Sequence, residues 1–400
     1  MPPLDMDDIS RYTALPDDAR VLLERPEHEL RVTMSLRLDE RLVQTDVCVV
    51  YFNTARGPAK GGIRFWPTVT MPHVIELAEK MVWKTALVGI PFGGGKSGIA
   101  LDPTKFSRMQ KTAVLKEFVH VLRPELLNGM YIPAPDMGTN SADMAVIFGE
   151  THLPECVTGK PPRVGGLPGR LEATGRGLAT CVSAAAKEFL KQDLEGLTVA
   201  IQGFGNVGSW CGHFLSQRGA RVVAVSDISG AVTARGGLDV HKLAEWTARG
   251  KPLDDFPDYD KLTNAELLAM NVDILVPAAT ENVLTGDSAS AVSARMVVEG
   301  ANGPTTAEAD AILGDKGIPV IPDILANSGG VIASYIEWRK AKSGSLTSRD
   351  ETFDTVDELV LSALARVTDF TSRRKVTPRL AARVLAVEEV VHAMADRGWI

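Results

Sequence analysis

A β-prone run, Leu197 to Ile201, leads directly into Gly203-Phe204-Gly205-Asn206-Val207-Gly208 and then into a helical pattern that lasts to about Arg218. No other stretch narrows the possible folds as much. A G-x-G-x-x-G at a strand-to-helix turn lets a pyrophosphate approach the backbone at a helix N-terminus, where free N–H groups and the helix dipole favour an anion. A second strand, Arg221 to Val225, ends at Ser226-Asp227, which puts an acid about 20 residues beyond the glycines, where it can accept ribose hydroxyls. Short strands then recur at Val272–Val276, Met296–Glu299 and Val320–Ile321, each after a helical stretch. This alternation describes a doubly wound parallel sheet from about residue 170 to about residue 340. The expected ligand of this sheet is a dinucleotide. Asp227 would repel a 2′-phosphate and Ile228-Ser229-Gly230 supplies no cation, which favours NAD; Arg235 leaves NADP possible.

The N-terminal part has a different pattern. Leu30, Val32, Met34, Leu36 and Leu38 alternate with polar residues, and so do Val43, Val47 and Val49, which predicts a hairpin of half-buried strands. A glycine-bearing stretch, Gly57 to Phe65, follows, then a helix from Pro72 to about Val88 in which Lys84 joins Leu77, Met81 and Val88 on an otherwise apolar stripe. Pro91-Phe92-Gly93-Gly94-Gly95-Lys96-Ser97-Gly98 comes next and reads as a loop. It invites a phosphate-loop reading, but that motif needs Gly at the position of Ile90, and the match fails. The alternatives are a surface loop, or a site where glycines let a substrate approach Lys96 and a crowded, partly dry setting lowers its pKa. Asp136 sits in Pro133-Ala134-Pro135-Asp136-Met137-Gly138 at the end of a short strand. It could cap the helix expected from Ser141 to Phe148, but Asn140 can serve equally, which would leave Asp136 for chemistry.

At 400 residues, two or three domains are expected. The Pro- and Gly-rich segment from Lys160 to Arg170 reads as the linker between them. The domain boundaries expected are 1–168 for a substrate-binding and oligomerisation domain and 169–374 for the nucleotide domain and the helices after it. A long C-terminal helix, about 375–400, is expected to pack back on the first. A net charge of −7 with interspersed signs argues against nucleic acid or an anionic membrane surface as a partner. The four cysteines and seven histidines are scattered, with no C-x-x-C, so no metal site is expected. The acidic N-terminus is unlike a secretory or transit signal, and no apolar run reaches the ~18 residues that span a bilayer. A cytoplasmic location is the expectation.

Taken in order, Lys60-Gly-Gly-Ile-Arg64, Lys84, Gly93-Gly-Gly-Lys96, Pro133-Ala-Pro-Asp136, Gly169-Arg-Leu-Glu-Ala-Thr-Gly175 and Glu299-Gly-Ala-Asn-Gly-Pro-Thr-Thr306 resemble the glutamate dehydrogenases. These belong to the amino acid dehydrogenase family that also holds the leucine, phenylalanine and valine enzymes. The resemblance extends from the first hairpin to Asn327–Ser334. It implies an N-terminal α/β substrate domain and a Rossmann domain, with a cleft that closes in turnover. The implied reaction is reversible oxidative deamination of L-glutamate to 2-oxoglutarate and ammonia with NAD(P).

The resemblance also implies roles. Lys84 would hold the α-carboxylate, and Lys60 with Ser334 the side-chain carboxylate. Lys96 would activate water and Asp136 would shuttle protons. Arg170, Thr174 and Asn302 would line the site near nicotinamide and substrate. Relatives that oxidise leucine or phenylalanine have an apolar residue at the position of Lys60, so glutamate is the expected substrate. A homohexamer is implied. Two alternatives stay open: a low-activity regulatory subunit of a hetero-oligomeric glutamate dehydrogenase, and a dehydrogenase for another amino acid. The lysine stretch departs from many relatives, which have Ala before the lysine and Gly or Ala after it. Here Gly95 and Ser97 flank Lys96, and Ser97 is expected to bring a hydroxyl near the ammonium.

Overall fold

The computed structural model describes residues 6–400. The chain divides into two compact units: Met6–Arg170, Val331–Thr352 and Ala386–Ile400 form one, and Leu171–Gly330 with Phe353–Leu385 forms the other. Among the described residues, no helix is long and apolar enough to cross a membrane.

The first unit is built on a five-stranded sheet. Its strands are β1 (His28–Leu38), β2 (Arg41–Asn53), β3 (Ala59–Phe65), β4 (Gly93–Ile99) and β5 (Tyr131–Pro135), in the spatial order β1-β2-β4-β3-β5. The hairpin pairs Leu38 with Arg41 and His28 with Tyr51, with Asp39 at φ 52 in the tight turn. β2 runs antiparallel to β4, whereas β4, β3 and β5 are mutually parallel. Alternation along the strands separates two faces. One carries Ile63, Phe65, Ile99 and Tyr131 into a core with Val114, Leu115 and Phe118 of the Arg108–Val121 helix and Met144 and Ile147 of the Ser141–Thr151 helix. The other face receives the Met71–Leu87 helix.

The glycine run around Lys96 is a strand, not a loop. All seven residues of β4 are buried, and it lies between β2 and β3. Glycine is needed there because other backbone comes too close for a side chain. A Cβ on Gly94 would lie 2.3 Å from the Ala78 carbonyl oxygen and 2.6 Å from the Val82 nitrogen of the Met71–Leu87 helix. One on Gly93 would lie 2.1 Å from the Asn53 oxygen. The glycines thus admit a helix and two strands, and the expected role of clearing space for a substrate is not what constrains them. Gly94→Ala is expected to lower stability by about 1–3 kcal/mol, the usual cost of overpacking. An unchanged denaturant midpoint would show that the helix can retreat from the strand without cost.

The second unit carries a seven-stranded sheet of β6 (Thr198–Gln202), β7 (Arg221–Ser226), β8 (Ala231–Thr233), β9 (Asp260–Leu262), β10 (Ile274–Pro277), β11 (Met296–Val298) and β12 (Val320–Ile321). The order is β12-β11-β10-β6-β7-β8-β9, parallel from β12 through β7, with an antiparallel edge of β8 and β9. The strand order reverses direction between β6 and β10, the place where open α/β sheets bind ligands beyond their C-terminal strand ends. The motif Gly203–Gly208 leaves the sheet there, at the end of β6.

Candidate active site

In the first unit, strand register decides which side chains meet. Lys60 on β3 is level with Gly94 on β4, two residues before Lys96, and Gly62 on β3 is level with Ala134 on β5, two residues before Asp136. The period of two therefore puts Lys60, Arg64, Lys96 and Asp136 on one face, the face covered by the Met71–Leu87 helix. Lys84 lies half-buried in the last turn of that helix. Gly62 has a local purpose: a Cβ there would come within 2.6 Å of the Asp136 Cβ.

Asp136 is the charge centre of this face. Its Oδ2 lies 3.0 Å from Lys96 Nζ and accepts from Arg64 Nε at 3.0 Å. Arg64 Nη1 is also 3.0 Å from His73 Nε2. Burial pushes the Asp136 carboxyl up, but Lys96 and then Arg64 outweigh it and hold it at about 2. Asn140 caps the Ser141–Thr151 helix through the Ala142 and Asp143 N–H groups, so Asp136 is not needed as a cap. Ser97 does not bring its hydroxyl to Lys96. As the next residue on the strand it points to the opposite face, where its Oγ is 2.8 Å from the Tyr131 hydroxyl.

Lys60 is only 1% exposed, and among the described residues no group hydrogen-bonds its ammonium. Burial holds its pKa well below the usual lysine range; neighbouring Arg170 adds to this, Glu337 opposes it, and Lys96 and Lys160 add further. The Gly329–Ser343 helix supplies Ser334, whose Oγ accepts from Arg170 Nη2 at 3.3 Å. One turn later on the same helix comes Glu337. Sequence reading missed this residue and its partner Lys160, as well as Arg64. Arg64 could have been found from its even spacing with Lys60 and Gly62 on β3. The Lys160–Glu337 pairing has no local signal.

In the second unit the glycines divide the work. Gly203 adopts φ +97, and a Cβ there would lie 2.5 Å from the Ala279 nitrogen. A Cβ on Gly208 would lie 1.9 Å from the Gly203 oxygen, so this glycine serves close packing of the helix on the turn. Gly205 alone faces open space, at the N-cap of the Asn206–Gln217 helix. An open glycine at a helix N-terminus is the arrangement a pyrophosphate fits. Phe204 is buried, Val207 half-buried, and Asn206 Nδ2 donates to the Leu171 carbonyl at 3.0 Å. Thr174 lies in the first turn of the Ala173–Ala185 helix, which packs against Trp210 through Gly175.

Asp227 stands just past β7 and organises a turn. Its Oδ1 accepts from the Ser229 N–H at 2.7 Å and the Ser229 hydroxyl at 2.5 Å, and its Oδ2 accepts from the Leu253 N–H at 3.2 Å. Arg235, two residues past β8, is exposed. Asn302 follows β11, and its Oδ1 accepts from Asn327 Nδ2 at 3.0 Å. The loop around it is held from below by Glu299, whose carboxylate takes both terminal nitrogens of Arg379 at 3.1 and 2.7 Å and the Asp323 N–H at 2.9 Å. Of the expected substrate residues, Lys60, Lys84, Lys96, Asp136, Arg170 and Ser334 fall in the first unit, whereas Asn302, expected near both substrate and nicotinamide, falls in the second with the expected nucleotide residues.

Residues 165–398 match the family described as Glutamate/Leucine/Phenylalanine/Valine dehydrogenase, and residues 26–153 match the Glu/Leu/Phe/Val dehydrogenase, dimerisation domain. The chain is 42% identical over 395 residues to the glutamate dehydrogenase of Thermotoga maritima, covering 96% of this chain and 94% of that protein. It is 41% identical over 393 residues to the NADP-specific glutamate dehydrogenase of Saccharolobus shibatae, covering 96% and 92%. Among solved structures, the hetero-hexameric glutamate dehydrogenase of Thermus thermophilus in its leucine-bound form superposes with a TM-score of 0.90 at 32% identity, covering 99% of this chain and 98% of that one. With both family domains matched in order over nearly its whole length, the chain belongs to the Glu/Leu/Phe/Val dehydrogenase family.

Proposed function

We propose that this chain is a glutamate dehydrogenase that interconverts L-glutamate with 2-oxoglutarate and ammonia, using NAD in preference to NADP. The observation that carries the choice of substrate is Lys60, a fully buried cation with no hydrogen-bond partner among the described residues, set in the unit that also holds Ser334 and Arg170. A buried charge without a counter-ion costs several kcal/mol. A distal carboxylate on the substrate removes that cost, whereas an aliphatic side chain leaves it in place. The relatives matched over nearly their full length carry the same name for their activity.

In this reading the unit made of Met6–Arg170, Val331–Thr352 and Ala386–Ile400 binds substrate and mediates assembly, and the unit made of Leu171–Gly330 and Phe353–Leu385 binds the nucleotide, so the sequence-based bounds of 1–168 and 169–374 shift to give residues 331–352 to the substrate side. Lys84 takes the α-carboxylate; Lys60, Ser334 and Arg170 take the distal one. Asp136, held ionised at about 2, accepts the first proton from the substrate ammonium. A nicotinamide held by the second unit would supply the acceptor for the hydride on Cα. Lys96, as the neutral amine, would remove a proton from the water that adds to the iminium carbon. The contact between Lys96 Nζ and Asp136 Oδ2 at 3.0 Å lets the two groups exchange a proton directly, so Asp136 can return one to the departing nitrogen. Thr174, Asn302 and the Gly203–Gly208 turn hold the nucleotide.

The deciding experiment is an absorbance assay with 2-oxoglutarate and ammonia, run separately with NADH and NADPH. Turnover only with branched or aromatic 2-oxo acids would overturn the substrate reading. Asp227→Ser removes the carboxylate expected to oppose a 2′-phosphate, and the ratio of kcat/KM for NADPH to that for NADH should rise about tenfold, a difference of about 1.4 kcal/mol. An unchanged ratio would assign ribose recognition to another residue. A cytoplasmic homohexamer is the proposed form. The complete set of Lys60, Lys84, Lys96 and Asp136 supports an active subunit over a regulatory one, and purified chain that turns over without a second protein would establish this.

A further inference from the structure

Lys160 and Glu337 have side chains with no exposure at all, and they meet at 2.9 Å. Lys160 Nζ also donates to the carbonyls of Pro154 at 2.7 Å and Val157 at 2.6 Å, which uses all three of its hydrogens. Glu337 Oε2 accepts the Gly159 N–H at 2.9 Å, and its Oε1 accepts the Lys160 N–H at 3.2 Å. The carboxylate is therefore pinned to the segment that runs into Arg170. It sits one helical turn after Ser334, on the same face of the Gly329–Ser343 helix. A buried ion pair contributes little to stability relative to an apolar pair of similar size, so stability alone gives no reason for this one.

We propose that Glu337, locked by Lys160, is a positioning residue for the distal-carboxylate pocket: it sets the helix so that Ser334 meets Arg170, and it supplies the negative charge that lets Lys60 and Arg170 lie together before substrate arrives. The proposal rests on the reading of Lys60 as the distal-carboxylate ligand. Lys60 feels cations from two elements besides its own: Lys96 from β4, and Arg170 and Lys160 from the 160–170 segment. Two carboxylates offset them. Asp136 is committed to Lys96 and Arg64. Glu337 is the one that raises the affinity of Lys60 for its proton. Removing its charge should make Lys60 lose that proton at lower pH, and a neutral amine does not hold a carboxylate.

The test uses the full-length assembled enzyme with two variants, Glu337→Gln and the volume-conserving pair Lys160→Met with Glu337→Leu. The second keeps the outcome readable if the first leaves too much buried charge to fold. KM and kcat are measured from pH 6.5 to about 10 with 2-oxoglutarate and with 2-oxohexanoate, a chain that lacks the distal carboxylate. The expected result is a tenfold or greater rise in KM for 2-oxoglutarate, less than a twofold change for 2-oxohexanoate, and movement of the alkaline loss of 2-oxoglutarate affinity to lower pH. Equal rises for both substrates, or an alkaline limb that stays in place, would overturn the proposal and leave the pair a structural tie. Parent enzyme that fails to prefer 2-oxoglutarate would instead overturn the reading of Lys60 itself.

Discussion

Lys96→Ala is expected to reduce turnover by at least about 10³-fold, within the range for loss of a positioned general acid or base, while nucleotide affinity changes less than twofold. The second half follows from position: Lys96 lies on β4 of the first unit, and the Gly203–Gly208 turn belongs to the other. Loss of activity alone does not distinguish a proton carrier from a counter-ion of Asp136, since the substitution removes both. Lys96→Arg separates them. A guanidinium keeps the charge beside Asp136 but does not lose its proton near neutral pH, so this variant should be nearly as inactive as the alanine. Substantial activity in Lys96→Arg would assign Lys96 a purely electrostatic part. Full activity in Lys96→Ala would remove it from the chemistry. Arg64, 3.0 Å from Asp136, remains as its counter-ion in either variant.

The second large effect is a change of substrate. Lys60→Leu with Ser334→Val takes away the buried cation and the hydroxyl that meets Arg170. Breaking a buried charge pair costs about 3–5 kcal/mol, so kcat/KM for glutamate should fall by about a hundred- to several-thousandfold. Activity on norleucine should rise, since its aliphatic end no longer strands an ammonium. Arg170 stays in place and gives glutamate a residual foothold, so the fall should not be complete. Glutamate turnover that survives the double substitution would show that Arg170 and other groups carry recognition.

Most of the nucleotide half was legible from local pattern, because a strand, a G-x-G-x-x-G turn and a helix with an acid at the next strand end form one continuous stretch. The glycines around Lys96 show where local reading stops. Glycine in a loop and glycine under a crossing helix look alike in sequence, and only the approach of Ala78 and Val82 to Gly94 tells them apart. Ser97 was misplaced for the same reason, since the two-residue period that turns it to Tyr131 exists only if the segment is a strand. Asp136 reads locally as a possible cap; its place beside Lys96 depends on register between β3, β4 and β5. Lys160 and Glu337 are far apart in the chain, so nothing near either residue announces the other.

The first unit is completed by the last residues of the chain. Arg397 donates to the Thr54 carbonyl at 2.8 Å, Arg56 pairs with Glu389 at 3.0 Å, and Thr13 donates to Glu388 at 3.3 Å. During synthesis, the strands that carry Lys60 and Lys96 leave the ribosome long before these partners do. The nucleotide unit, by contrast, needs no residue beyond Leu385. Domains fold as units once their sequence is available, so the nucleotide half can settle first while the lysine-bearing half waits for residues 386–400. A deletion at the C-terminus should therefore damage the half of the molecule encoded first, and the lesion would appear as lost substrate binding in a chain that still captures nucleotide.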